Sequence, residues 1–226
     1  MSNQEIPEPK DADISMAAVV SHFNDAAATW DDNPHRRELT QAIARGIGAT
    51  IPLQPTWRVL EYGCGTAGLS FLLASRVREV VTADASPGMV EQIRRKLETY
   101  PTTRIQPRLL DLMQEPAPAE RFDLILVAMT LHHVPNVPEL LTRLGSMLGA
   151  GGWLAIADLQ TEDGSFHTSL TVPHNGFAPE TMVQSINQAI GTNSCTWRVV
   201  HEFPKNGRTY PVCLWTAQKG RIGGPI

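Results

Sequence analysis

The sequence predicts one α/β domain built on an open, mostly parallel sheet. Three observations predict it. Apolar β-type runs alternate with helical patterns from Arg58 onward, and a glycine-rich turn joins the first run to the helix after it. An Asn-Gly pair between two late apolar runs then closes the chain as an antiparallel hairpin.

With 226 residues, 42% hydrophobic and 19% charged, the chain is long enough to bury one sizeable core. A net charge of -4 and scattered Lys and Arg leave no electrostatic footprint for nucleic acid. Cys64, Cys195 and Cys213 show no CxxC spacing and read as free thiols in a reducing compartment. No apolar run reaches the roughly 18 residues of a membrane span, and no basic-then-apolar leader opens the chain. A cytoplasmic protein is expected; the sequence sets no oligomeric state.

The elements follow in order. Residues 1–13 are polar and proline-bearing, a loose tail. Residues 14–55 form a helical lid or flank. Ser15 caps a helix over 15–30 with Val19, Val20 and Phe23 on one face, and Asn33-Pro34 starts a second helix ending at Gly46 or Gly48. Strands are expected over 58–62, 79–84, 104–111, 122–129 and 152–159, with Gly149 to Gly152 as a tight connection before the last. Helices are expected over 87–100, 138–148 and 179–190. A long loop follows Asp158, and the strands 196–204 and 209–218 meet at Asn206-Gly207.

The most informative stretch is Glu61-Tyr62-Gly63-Cys64-Gly65, continued to Gly68. A strand, a glycine turn and a helix in succession offer backbone N–H groups to a ligand's polar end. Glu61, at the strand tip, would repel a pyrophosphate and attract an ammonium and a sulfonium. That favours S-adenosylmethionine over a dinucleotide. Asp84 ends the second strand, where a carboxylate can accept both ribose hydroxyl hydrogens.

These stations, in this order, resemble the class I S-adenosylmethionine-dependent methyltransferases over residues 56–220. The closest likeness is to small-molecule methyltransferases of the ubiquinone/menaquinone-biosynthesis type. The resemblance implies a Rossmann-like, seven-stranded sheet of order 3-2-1-4-5-7-6, strand 7 antiparallel, with helices on both faces. It further implies that Glu61, Tyr62, Gly63, Cys64 and Gly65 lie along the methionine part of the cofactor. Asp84 would meet the ribose, Met89, Asp111 and Leu112 the adenine, and the Ala128 carbonyl the methionine end, with Ala85 a further cofactor contact. Gly68 would permit close helix–strand packing.

Ligands of open α/β sheets bind beyond the carboxyl ends of the strands. His132 and His133, just after the fourth strand, are therefore expected near the reactive methyl, either one able to act as a base, His133 slightly ahead. Phe23 and Trp30, with His167 and His174 of the long loop, are the expected acceptor contacts. No metal is expected: Asp163, His167 and His174 lack a tight ligand spacing. The acceptor is expected to be a small organic molecule, not nucleic acid, since no NPPY-like run and no Pro-Cys follow the fourth strand. Two alternatives remain: a nicotinamide-dependent oxidoreductase, and a cofactor-binding module without turnover.

Overall fold

The computed structural model describes residue 6, residues 16–168 and residues 170–220. The expected tail over 1–13, Ile6 apart, and the Ser15 cap lie outside the described residues. Seven strands, β1 (Arg58–Tyr62), β2 (Glu79–Asp84), β3 (Ile105–Leu109), β4 (Phe122–Ala128), β5 (Leu148–Leu159), β6 (Thr196–Lys205) and β7 (Arg208–Gln218), form one sheet. Its order is 3-2-1-4-5-7-6. β1 to β5 run parallel, and β7 is antiparallel to both β5 and β6. The hairpin turns on Asn206 (φ 53) and Gly207 (φ 73), the pair of left-handed residues that a two-residue turn needs.

The helices are α1 (Met16–Ala26), α2 (Pro34–Thr50), α3 (Gly68–Leu73), α4 (Pro87–Thr99), α5 (Val137–Met147) and α6 (Pro179–Ile190). Strand alternation splits the core in two. Leu60, Ile125, Ile156 and Trp215 point to one face, under Leu140, Leu144, Met182 and Ile186 of α5 and α6. Val59, Leu124, Ala155 and Leu214 point to the other, under Ile43 and Ile47 of α2, Leu69 and Leu73 of α3, and Ile93 of α4. Both faces are thus covered by helices, as a mostly parallel sheet requires. Among the described residues, no helix is long and apolar enough to cross a membrane.

Four boundaries depart from expectation. The first helix stops at Ala26 and tightens into a 3-10 turn over Ala27–Asp32, so Trp30 is not on the same α-helix as Phe23. α2 runs through both glycines to Thr50. A β-carbon on Gly46 would stand 2.9 Å from Leu214 Cδ2, so this glycine serves close approach to the sheet instead of ending the helix. β3 ends at Leu109, two residues early, leaving Asp111 in the turn that follows. β5 starts at Leu148 and takes in Gly149–Gly152, which were expected as a connection. The β4–β5 register shifts there, and Gly151 at φ 75 supplies the irregular backbone.

Candidate functional site

Strand order reverses between β1 and β4, which places a cleft beyond their carboxyl ends. The cleft has a volume of about 1580 Å³. Its floor is the β1–α3 loop and the tips of β2 and β4; its roof is α1 with the 27–32 turn. Side chains pin that roof: the Asn24 amide oxygen accepts from Gly88 N (2.9 Å) and the Ser86 hydroxyl (2.6 Å). Asp31 meets Lys96 Nζ at 2.6 Å and Thr66 Oγ1 at 2.7 Å. Trp30 stands over the glycine loop with the Arg36 guanidinium 3.7 Å from its ring centre.

The loop's shape explains its glycines. Gly63 sits at φ +66, and a β-carbon there would lie 2.3 Å from Thr130 Cγ2. Gly65 sits at φ +54, where a side chain is strained. Gly68 differs from the expectation: a β-carbon would meet only Thr40 of α2, at an ordinary 3.5 Å, so close packing on the strand does not require it.

Glu61 is buried, and its Oε2 accepts from the Ser70 amide (3.0 Å) and the Ser70 hydroxyl, which anchors the start of α3. Burial pushes its pKa up to about 7, against the pull of the two Ser70 bonds. Asp84 accepts from Gly65 N (2.8 Å) and Ser86 N (2.9 Å), yet burial still raises its carboxyl to about 6. Asp111 turns one oxygen to Met113 N at 2.8 Å. Tyr62, Cys64, Ala85, Met89 and Ala128 also line the cleft. Burial drives the Cys64 thiol well above its usual range, which removes it as a nucleophile. Leu112 does not reach the cleft. It is fully buried in the core, its amide donating to the Tyr62 hydroxyl at 3.2 Å, because β3 ends early and the turn swings Asp111 outward instead.

At the other end lies a cluster of imidazoles. His132 and His133 sit in a 3-10 turn, Leu131–His133, straight after β4. His132 Nδ1 is 2.6 Å from Asp158 Oδ1 of β5, both fully buried. His133 packs edge-on to Phe23 with ring centres 5.0 Å apart, and burial lowers its pKa well below the ordinary imidazole value. His167 joins them from the loop, pushed down to about 3 by burial and then by the charge of His132. His174 does not line the cleft: its Nε2–H is spent on the Val134 and Pro135 carbonyls, at 3.1 and 3.3 Å, bracing the loop from behind. Asp163 is drawn away to Arg208 Nη1 at 2.7 Å, so the set Asp163, His167 and His174 is not assembled.

Asp158 is the residue that sequence reasoning passed over. Its signal was present, since it ends the expected fifth strand on the ligand-binding edge of the sheet, but its partner lies twenty-six positions away. Arg36 and Lys205, half-buried in the same cleft, were missed because neither belongs to a motif.

The cleft suits S-adenosylmethionine by its own chemistry. The buried Glu61 and half-buried Asp84 carboxylates, both with weakened acidity, border open volume, and a ligand bearing an ammonium and ribose hydroxyls supplies what they lack. The fold and the cleft support a class I S-adenosylmethionine-dependent methyltransferase with S-adenosylmethionine as cofactor. The family described as "Methyltransferase domain" matches residues 59–152.

Particular relatives stand further off. The chain is 30% identical over 156 residues to trans-aconitate 2-methyltransferase of Deinococcus radiodurans, covering 67% of this chain and 58% of that one. It is 27% identical over 184 residues to pyochelin synthetase PchF of Pseudomonas aeruginosa, covering 74% of this chain and 10% of that one. The chain therefore spans less than two thirds of the length of these curated relatives. The solved structure of the [4+2]-cyclase SpnF superposes with a TM-score of 0.73 at 14% identity, over 97% of this chain and 100% of that one, a likeness of fold. None of these comparisons favours the nicotinamide-dependent alternative.

Proposed function

We propose that the protein transfers a methyl group from S-adenosylmethionine to a small organic acceptor by in-line displacement. One observation carries this reading: the buried Glu61 and half-buried Asp84 carboxylates at the tips of β1 and β2 share a cleft with His132, just after β4, which the buried Asp158 of β5 backs. The first pair suits the donor, and the second suits an acceptor that must lose a proton.

In this reading Glu61, Tyr62, Gly63, Cys64 and Gly65 hold the methionine end, with the Ala128 carbonyl facing it. Asp84 and Ala85 hold the ribose, and Met89 and Asp111 flank the adenine. The cofactor supplies an activated methyl on a sulfonium. Residues 16–55 act as the lid over the core that follows, with Phe23 and Trp30 closing on the ligands. Holding donor and acceptor at attack distance contributes on the order of 7–11 kcal/mol, so few catalytic groups are needed.

His132 is the better base of the two candidates, because Asp158 fixes its ring and tautomer and would stabilise its cation. The acceptor's lone pair forms the bond to the methyl carbon as the carbon–sulfonium bond breaks. Its proton passes to His132, and S-adenosylhomocysteine leaves with the electron pair. Arg36 and Lys205 border the cleft; burial lowers the ammonium pKa of Lys205, and the charge of Arg36 lowers it further, an arrangement that suits an acceptor carrying negative charge.

The test is methyl transfer from labelled S-adenosylmethionine to a panel of small acids, phenols and thiols, compared with nucleic acid. Label appearing on a small acidic member, and lost with His132→Ala, supports the reading. Tight donor binding with no transfer to any member would favour the binding-module alternative.

A further inference from the structure

We propose that His132, His133 and His167 form a binding site for one divalent transition-metal ion of the zinc class, placed so that its open position receives the acceptor's oxygen or sulfur. The acceptor's part in this rests on the methyl-transfer reading above; the metal site itself does not.

One ring nitrogen from each of the three histidines lies within 4.8 Å of the others. Imidazoles sharing a tetrahedral zinc, with bonds of about 2.05 Å, have ring centres about 5.2 Å apart. The His132–His167 and His133–His167 centres are 5.1 and 5.2 Å apart. The consecutive pair, at 4.1 Å, must splay by roughly one ångström to match that spacing.

Two further observations point to a ligand. His133 Nδ1 and His167 Nε2 are buried without a hydrogen-bond partner. Leaving such an atom unpaired is unfavourable, a cost that a metal bond would offset. His132, in turn, has the support typical of a metal-bound imidazole. Its Nδ1 is held by the Asp158 carboxylate, which leaves Nε2 as the lone-pair nitrogen. Phe23 and Phe166 pack against His133 and His167 at 5.0 and 4.9 Å between ring centres, limiting how far either ring can swing away.

Three neutral nitrogens and no thiolate suit zinc, copper, iron or nickel in preference to magnesium or calcium. Three protein ligands leave a fourth position open, and all three histidines line the donor's cleft. An acceptor hydroxyl or thiol bound there gives up its proton to water more readily, so with metal present His132 serves as ligand and not as base.

The experiment uses tag-free protein stripped with a chelator and then titrated with zinc by calorimetry and with cobalt by visible absorption. The expected result is one ion per chain and a ligand-field cobalt band, both lost in His167→Ala and His133→Ala. The same titrations of Asp158→Asn should show affinity weakened about 10–100-fold. His174→Ala, on the same loop but outside the cluster, should bind as the unaltered protein does. His167→Gln, checked by circular dichroism, covers the case in which alanine disturbs the fold. Unchanged stoichiometry in the His167 and His133 variants, or no cobalt band, overturns the site. Parallel titration with S-adenosylmethionine separates the two readings. Donor binding without metal binding sinks only the metal site; metal binding without donor binding sinks only the methyl-transfer reading.

Discussion

The Nδ1 atom of His132 stands 2.6 Å from Oδ1 of Asp158, in a buried pair at the junction of β4 and β5. Asp158 also accepts from the Leu159 amide at 2.7 Å, so the carboxylate is itself held in place. A bond this short between buried partners fixes which imidazole nitrogen faces the cleft.

Asp158→Asn should therefore act through His132 and not through the donor. We expect turnover to fall by at least about tenfold, the scale of a lost orienting bond to a reacting group. Donor affinity should stay within about twofold, well under the 1.4 kcal/mol of a tenfold change. Steady-state kinetics with a calorimetric donor titration checks both numbers. A large loss of donor affinity would mean that Asp158 supports the whole cleft.

Donor affinity should rise with pH. In the free protein burial holds Glu61 at about 7 and Asp84 at about 6. A cationic ligand favours their ionised forms, so binding lowers both values and releases protons around pH 6.5. Affinity should climb from pH 5.5 and level off above 7.5. Calorimetry in two buffers of different ionisation enthalpy reads the proton release directly. The same shifts affect the ligand-free fold with the opposite sign. Both carboxyls have raised pKa values, so the stability they contribute is full below the unfolded values near 4 and is lost as pH rises through 6 and 7. The melting temperature of the free protein should fall across that window, and the donor should restore more of it at pH 7.5 than at 5.5.

Gly63→Ala should be severe. A left-handed φ of +66 and a β-carbon 2.3 Å from Thr130 Cγ2 act together. We expect a loss of about 2–4 kcal/mol in urea unfolding and no measurable donor binding. Gly68→Ala should be mild, because its β-carbon meets Thr40 at ordinary distance.

Trp30→Ala tests the lid. Trp30 holds Arg36 over its ring and touches Phe23 edge-on with ring centres 5.5 Å apart. Removing it should raise the donor's dissociation rate about tenfold, on the scale of an anchor worth more than 1 kcal/mol. Stopped-flow displacement measures that rate. An unchanged rate would make the 16–55 segment a flank and not a lid.

Much of the fold was legible because local signals agreed. The β2 strand and α6 fall where the apolar pattern and the Pro179 start placed them, and the Asn206-Gly207 turn forced the antiparallel end. In two of the departures, long-range contacts overrode a local signal. Gly46 looked like a helix end, yet it lies against Leu214, far along the chain. His174 looked like a pocket residue, yet backbone carbonyls at Val134 and Pro135 claim it. Of the candidate site, the glycine loop and Asp84 were readable because their chemistry lies in adjacent residues. The Asp158–His132 pair and the gathering of three histidines were not, because they arise where two strand ends and a loop converge.

The most direct test is calorimetric titration of the unaltered protein and of Asp84→Ala with S-adenosylmethionine, and of the unaltered protein with NADH. A carboxylate bonded to ribose hydroxyls is worth about 1.5–3 kcal/mol, so Asp84→Ala should weaken donor binding roughly 10–150-fold, while NADH gives no heat of binding. Equal donor affinity in the two proteins, or a preference for NADH, would contradict the account.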